Sequence, residues 1–178
     1  MKILLHICCA CCATYPVQEL RKDGLEVFGF FYNPNIHPYQ EYSKRIESVR
    51  EYSDKTQLRM IYRDEYRLEE FLQNVVFRET ERCRYCYYSR LKSAIQVAKK
   101  GNFDFFSTTL LYSKFQKHES IKEIAEGLAK DYGVSLYYHD FRKGWEEGIR
   151  MSKDFGLYRQ QYCGCIYSEK ERYLKKGN

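Results

Sequence analysis

Short apolar runs alternate along the chain with longer stretches in which apolar and charged residues are mixed, and the two textures predict different elements. Ile3 to Ile7 reads as a buried strand, Leu25 to Phe31 as a second, and Arg59 to Arg63 as a third. The Phe-rich segment Phe103–Ser107 and the segment Ser135–His139 supply two more. Between them the mixed stretches predict helices. These are Ala13–Lys22 with Gly24 as its stop, His37 to about Gln57, Glu69–Phe77, Cys83–Lys100 before Gly101, Glu119–Tyr132 before Gly133, and Gly144–Phe155 before Gly156. Asn33-Pro34-Asn35 predicts a turn, and the tail from Tyr158 ends in a charged helix.

Strands that alternate with helices imply an α/β fold: a doubly wound, mainly parallel, Rossmann-like sheet covered on both faces. The length of 178 residues and a hydrophobic content of 44% suffice for a core without staples, and no Pro-rich linker divides the chain. One domain over residues 1–178 is expected, with a cysteine-bearing C-terminal segment at about 157–178. No apolar run approaches the roughly 18 residues of a membrane span, and the N-terminus lacks a signal-peptide core, so no membrane partner and a cytoplasmic location are expected. The net charge of +6 permits a polyanionic partner such as RNA but by itself argues weakly for one. Most of the 18 tyrosines are expected at the edge of the core, although tyrosine can also stack on unpaired bases.

The eight cysteines change the picture. They fall in three groups: Cys8, Cys9, Cys11 and Cys12; Cys83 and Cys86; Cys163 and Cys165. Clustered cysteines in a reducing compartment point to metal or redox chemistry rather than a disulfide framework. Ligands of open α/β sheets bind beyond the carboxyl ends of the strands. There the first strand runs directly into Cys8, where nucleotide-binding relatives of the architecture carry a Gly-rich loop; this chain has none. Cys83 and Cys86 open a helix at i and i+3, on one face and at the positive end of the helix dipole. Cys9 and Cys12 have the same spacing. Two such pairs can supply four thiolates to a zinc ion or to an iron–sulfur cluster, or remain free thiols. A structural zinc would leave Cys163-Gly164-Cys165 without a role, whereas that pair can act as a redox dithiol, as ligands, or as loop thiols. His6 is either a donor to the cysteine site or a core histidine. Thr108, Thr109, Ser113, Gln116 and Lys117 follow the fourth strand, where they can bind a polar substrate or simply cap a helix. Asp140 can serve as general acid, as oxygen ligand, or as the ion-pair partner of an arginine, with Arg142 and Lys143 beside it. Arg159 lies among tyrosines that can flank a base.

In order, five motifs resemble those of the cobalamin-free epoxyqueuosine reductases. They are His6-Ile7-Cys8-Cys9-Ala10-Cys11-Cys12, then Arg82-Cys83-Arg84-Tyr85-Cys86-Tyr87 with Arg90-Leu91, and then Thr108-Thr109-Leu110-Leu111-Tyr112-Ser113 with Gln116-Lys117. Asp140-Phe141-Arg142-Lys143 and Tyr158-Arg159-Gln160-Gln161-Tyr162-Cys163-Gly164-Cys165 complete the set. The resemblance runs from residue 3 to about residue 165. One departure is visible: Cys11 stands where the family usually has proline, so no ligand role is carried onto it.

The resemblance implies a fold related to the HUP and PP-loop proteins and an oxidoreductase that reduces epoxyqueuosine at the wobble position of tRNA to queuosine, the epoxide oxygen leaving as water. It implies a 4Fe-4S cluster held by Cys9, Cys12, Cys83 and Cys86. It also implies an additional mononuclear iron, with Cys8 and Asp140 as candidate ligands. Cys163 and Cys165 would gate or relay electrons from a donor that the sequence does not identify. Thr108, Thr109, Ser113, Gln116, Lys117, Arg142, Lys143 and Arg159 become candidate contacts to the RNA. Two other readings compete: a tRNA sulfur-transfer enzyme, which would need a nucleotide loop, and a zinc-stabilised RNA-binding module, which would need no redox chemistry.

Overall fold

A computed structural model describes residues 1–174. The last four residues of the C-terminal segment expected at 157–178 therefore lie outside the described residues. Five parallel strands form one sheet in the order β3-β2-β1-β4-β5. They are β1 (Lys2–His6), β2 (Glu26–Phe31), β3 (Arg59–Tyr62), β4 (Phe105–Thr108) and β5 (Ser135–Leu136). The chain winds outward from β1 through α1 (Ala10–Lys22), β2 and α2 (Tyr39–Thr56) to β3. It then returns through α3 (Leu68–Val75) and α4 (Arg82–Lys100) to β4 on the other side of β1. The order of winding thus reverses between β1 and β4, and such a switch point opens a crevice at the carboxyl ends of the strands.

Helix α1 packs against α2 and against α6 (Trp145–Asp154), and α4 packs against α5 (His118–Tyr132). Ile3, Leu4, Leu5 and Phe106 are completely buried, as the unbroken apolar runs require of strands covered on both faces. The doubly wound parallel sheet expected from the alternation is therefore present.

Three local differences from the sequence expectation have physical causes. Helix α1 starts at Ala10, three residues before the expected Ala13, because the Cys9 sulfur accepts the Cys12 N–H (3.3 Å) and caps the helix inside the cysteine motif. Strand β5 keeps only Ser135 and Leu136 of the expected Ser135–His139. It is an edge strand, and beyond Leu136 only Tyr137 bonds back to the sheet, to the Phe106 carbonyl (2.9 Å). Helix α3 stops at Val75, leaving Phe77 at φ 62° and 94% exposed. The charged tail helix is α7 (Ile166–Tyr173).

Candidate active site

The register of β1 on β4 sets His6 opposite Thr108, so the first cysteine motif and the Thr108-Thr109 pair meet across the switch point. His6 is fully buried; its Nε2 faces the Tyr32 carbonyl (3.2 Å) and its Nδ1 the Thr108 hydroxyl (2.9 Å). A carbonyl can only accept, so the proton sits on Nε2, and the Thr108 hydroxyl donates to Nδ1 while accepting the Leu110 N–H (3.1 Å). Burial, reinforced by the nearby Arg90 cation, lowers the imidazole pKa to about 3. His6 is therefore a neutral framework residue that touches no sulfur. Thr109 is the group that touches one. Its hydroxyl accepts the Cys8 N–H (3.0 Å) and donates to Cys8 Sγ (3.3 Å). Thr108 and Thr109 are both completely buried, committed to holding the cysteine turn from behind.

The sulfurs of Cys8, Cys9 and Cys12 lie within 4.8 Å of one another, the one such trio among the described residues. Cys9 and Cys12 are paired as a disulfide in this structure. Gln160 donates its amide to Cys9 Sγ (2.9 Å) and Cys12 Sγ (3.5 Å), and Cys11 donates its thiol to the Tyr158 carbonyl (3.1 Å). The C-terminal segment is thereby fastened over the first motif.

The second motif meets the site through Arg90. This side chain is buried, and it donates to the Cys86 carbonyl (3.1 Å), to Cys86 Sγ (3.0 Å) and, at 3.5 Å, to Asn33 Oδ1. Asn33 in turn donates to the Ile7 carbonyl (2.9 Å). Arg90 has no carboxylate partner among the described residues, and it lies close enough to Cys8, Cys86 and Cys163 for their charges to act on it. A buried cation without an anion is costly, so the sulfurs are its natural counter-charges. As bare thiols they are reluctant anions. Burial pushes Cys86 up to about 12, against the pull of Arg90, and it raises Cys8 and Cys83 as well. A cation that replaces their protons removes that penalty.

The third motif is held by Arg45, a buried guanidinium paired with Glu41 (2.7 Å) that donates to the carbonyls of Cys163 (2.7 Å) and Tyr162 (2.9 Å). Gly164 sits at φ 154°, and a Cβ there would come within 3.2 Å of Asn35 Nδ2, so the link between the two cysteines needs glycine. Exposed Cys163 accepts the Gln116 amide (3.2 Å); Tyr87 fixes that amide by donating to Gln116 Oε1 (2.8 Å). Negative charge on Cys163 would add to the burial that raises Cys8, Cys83 and Cys86. Cys165 turns away, buried with Phe71 and Val75.

The first and third motifs and Arg90 border a cavity of about 560 Å³, lined by Cys8, Cys11, Cys12, Cys163, Arg45 and Arg90 among others but not by Cys9, Cys83, Cys86 or Cys165. Of the candidate RNA contacts, Ser113, Gln116 and Arg159 also line it, whereas Thr108, Thr109, Lys117, Arg142 and Lys143 do not. Asp140 is likewise outside the lining. It caps the following turn through the Arg142 N–H (3.2 Å) and forms a two-pronged pair with the Arg142 side chain (2.7 Å to each oxygen). That hydrogen bonding lowers its pKa to about 2.

Arg45, Asn33 and Gln160 gained no role from the sequence. Arg90 was marked only by its place after the second motif, although its spacing from Cys83 and Cys86 puts all three on one helix face. Arg45 offered no local signal, since its partners Tyr162 and Cys163 are 117 and 118 residues away.

Cysteines of the first and third motifs line one cavity with Arg90, which contacts Cys86 of the second, and such a grouping at the switch point of a parallel sheet can hold a metal or carry redox chemistry. The comparisons then narrow the class. The family model described as epoxyqueuosine reductase QueH matches residues 3–171. A protein of Dehalococcoides mccartyi called epoxyqueuosine reductase QueH is 40% identical over 98% of this chain and 96% of its own length. Its namesake in Thermotoga maritima is 36% identical over 96% of this chain and 91% of its own, and one in Streptococcus pyogenes is 32% identical over 94% and 70%. The chain belongs to the epoxyqueuosine reductase QueH family, and that membership makes it an oxidoreductase. No described helix is long and apolar enough to cross a membrane.

Proposed function

We propose that the chain reduces the epoxide of epoxyqueuosine at the tRNA wobble position, giving queuosine and water, in the cytoplasm. Two electrons and two protons enter for each oxygen lost. The observation that carries the reading is the buried Arg90 guanidinium on Cys86 Sγ (3.0 Å), with no carboxylate partner among the described residues, at the wall of a cavity that Cys8, Cys12 and Cys163 also line. A permanent cation among sulfurs fits an anionic metal–thiolate group, and it fits poorly to a neutral thiol cluster.

Cys9, Cys12, Cys83 and Cys86 are the residues that would hold a 4Fe-4S cluster, with Cys9 and Cys12 reduced. The sulfurs of the second and third motifs stand outside the compact trio of Cys8, Cys9 and Cys12, which suits a polynuclear group better than four ligands on one ion. When bound, such a group would supply single electrons and Lewis acidity for reduction of an epoxide. Cys8 is the candidate ligand for an additional mononuclear iron. Asp140, engaged by Arg142, would have to leave that pair to join it. The protein's own residues do the remaining work. Thr109 orients Cys8, Gln160 holds the Cys9–Cys12 turn, Arg90 balances charge, and Gln116 aims Cys163 at the cavity. Cys163 faces the cavity and is exposed, so it is the better placed of the C-terminal pair to pass electrons from a donor.

The test is anaerobic incubation of the reduced, iron-loaded protein with epoxyqueuosine-containing tRNA, followed by nucleoside mass spectrometry. Conversion to queuosine is expected, and an unchanged epoxide would overturn the reading. A zinc tetrathiolate would also set an anion beside Arg90, but the zinc-module alternative gives the exposed, cavity-lining Cys163 no role.

A further inference from the structure

Phe115 is 85% exposed at the mouth of the cavity. Its ring meets Trp145 edge to face, 5.7 Å between centroids at 78°. Trp145 is itself mounted firmly: Tyr112 packs on it at 5.2 Å with a 30° tilt and donates its hydroxyl to the Trp145 carbonyl (3.0 Å). Lys114 reaches over the same indole, 5.7 Å from its centroid. Lys114 and Arg159 have no carboxylate partner among the described residues, and the one acidic lining residue, Glu171, is taken by Arg82. The mouth is thus an exposed aromatic step beside free cations.

Isolated exposed aromatics are common. This one differs in being braced and in bordering the site. A cavity of about 560 Å³ encloses one ligand of nucleoside size, so the nucleotides on either side of an inserted base must lie at its mouth. The geometry points to Phe115, braced by Trp145, as the platform on which a base flanking the wobble nucleotide stacks, with Lys114 and Arg159 meeting the adjoining phosphates. This inference rests on the tRNA reading above and adds the residues that grip the loop. Stacking holds any base by its face, so the platform selects single-stranded loops over duplexes without reading their sequence.

The test uses the native metal-loaded protein and synthetic anticodon stem-loop RNA, with 2-aminopurine placed in turn at each loop position next to the wobble base. Stacking quenches that fluorophore. Native protein is expected to quench it at one flanking position. Phe115→Ala should abolish the quenching and weaken binding about five- to hundredfold. Phe115→Tyr should retain both, and Phe77→Ala, which removes an equally exposed ring away from the cavity, should change neither. Unchanged quenching and affinity in Phe115→Ala would overturn the platform and leave the tRNA reading standing. Unchanged RNA binding with slower reduction by ferredoxin would assign the step to a protein partner and overturn it too. No binding of the stem-loop by native protein would overturn the tRNA reading, and the platform with it.

Discussion

Replacing Arg90 by methionine keeps a long, unbranched side chain and removes a buried charge. Arg90 touches Cys86 Sγ at 3.0 Å and has no carboxylate partner among the described residues. At an effective dielectric of about 20, a unit charge about 6 Å from an added electron contributes roughly 3 kcal/mol. For a one-electron couple, in which a tenfold change is about 59 mV, that corresponds to about 130 mV. Arg90→Met should therefore lower the reduction potential of the iron-loaded protein by about 130 mV, read by a dye-mediated titration followed by electron paramagnetic resonance. The metal-free protein should respond differently. Without an anion beside it the guanidinium is a burden, so urea unfolding of metal-free Arg90→Met should fall within about 1 kcal/mol of the parent, or above it. An unchanged potential at full metal content would refute the charge-balance argument. So would a metal-free variant destabilised by several kcal/mol, because Arg90 would then be a packing element.

Two further outcomes follow from the buried groups. Arg45→Met strips Glu41 of its partner and frees the Tyr162 and Cys163 carbonyls; breaking such a pair costs about 3–5 kcal/mol. Hydrogen exchange should speed up at the His37 amide, which bonds the Gly164 carbonyl (2.8 Å), and unaltered protection there would contradict the clamp. Burial lowers His6 to about 3 and His37 to about 4, so between those values and 6.5 the unfolded chain binds protons that the folded protein does not. Stability of the metal-free protein should accordingly be intact above pH 6.5 and fall as the pH drops, by about 2 kcal/mol for each imidazole at pH 5. Both His37 nitrogens lack hydrogen-bond partners among the described residues, so His37→Leu should flatten the urea-midpoint profile, and an equally steep profile would exclude His37 as a cause.

The parallel architecture was legible because each strand is an apolar run bounded by a helix with its own stop, as at Lys100-Gly101 and Tyr132-Gly133. The length of β5 was not, since Tyr137 keeps a single bond to the sheet edge, and Tyr138 and His139, which also suit a strand, make none. Within the site the cysteines were evident from their grouping. Their support was not: Arg45 and Gln160 act on partners more than a hundred residues away, and no local spacing announces such a contact. The opposite error of emphasis concerns Thr108 and Thr109. Hydroxyls at a strand's carboxyl end suggested substrate contacts, yet the β1–β4 register turns both toward His6 and Cys8. Asp140 likewise offered several chemistries in sequence, and in the fold it meets Arg142, two residues on.

The central claim, that these cysteines hold an electron-transferring iron–sulfur group, is tested most directly by iron, acid-labile sulfide and zinc content of anaerobically purified protein. About four irons with matching sulfide are expected, and one iron more where the mononuclear site is filled. About one zinc with no sulfide would contradict it.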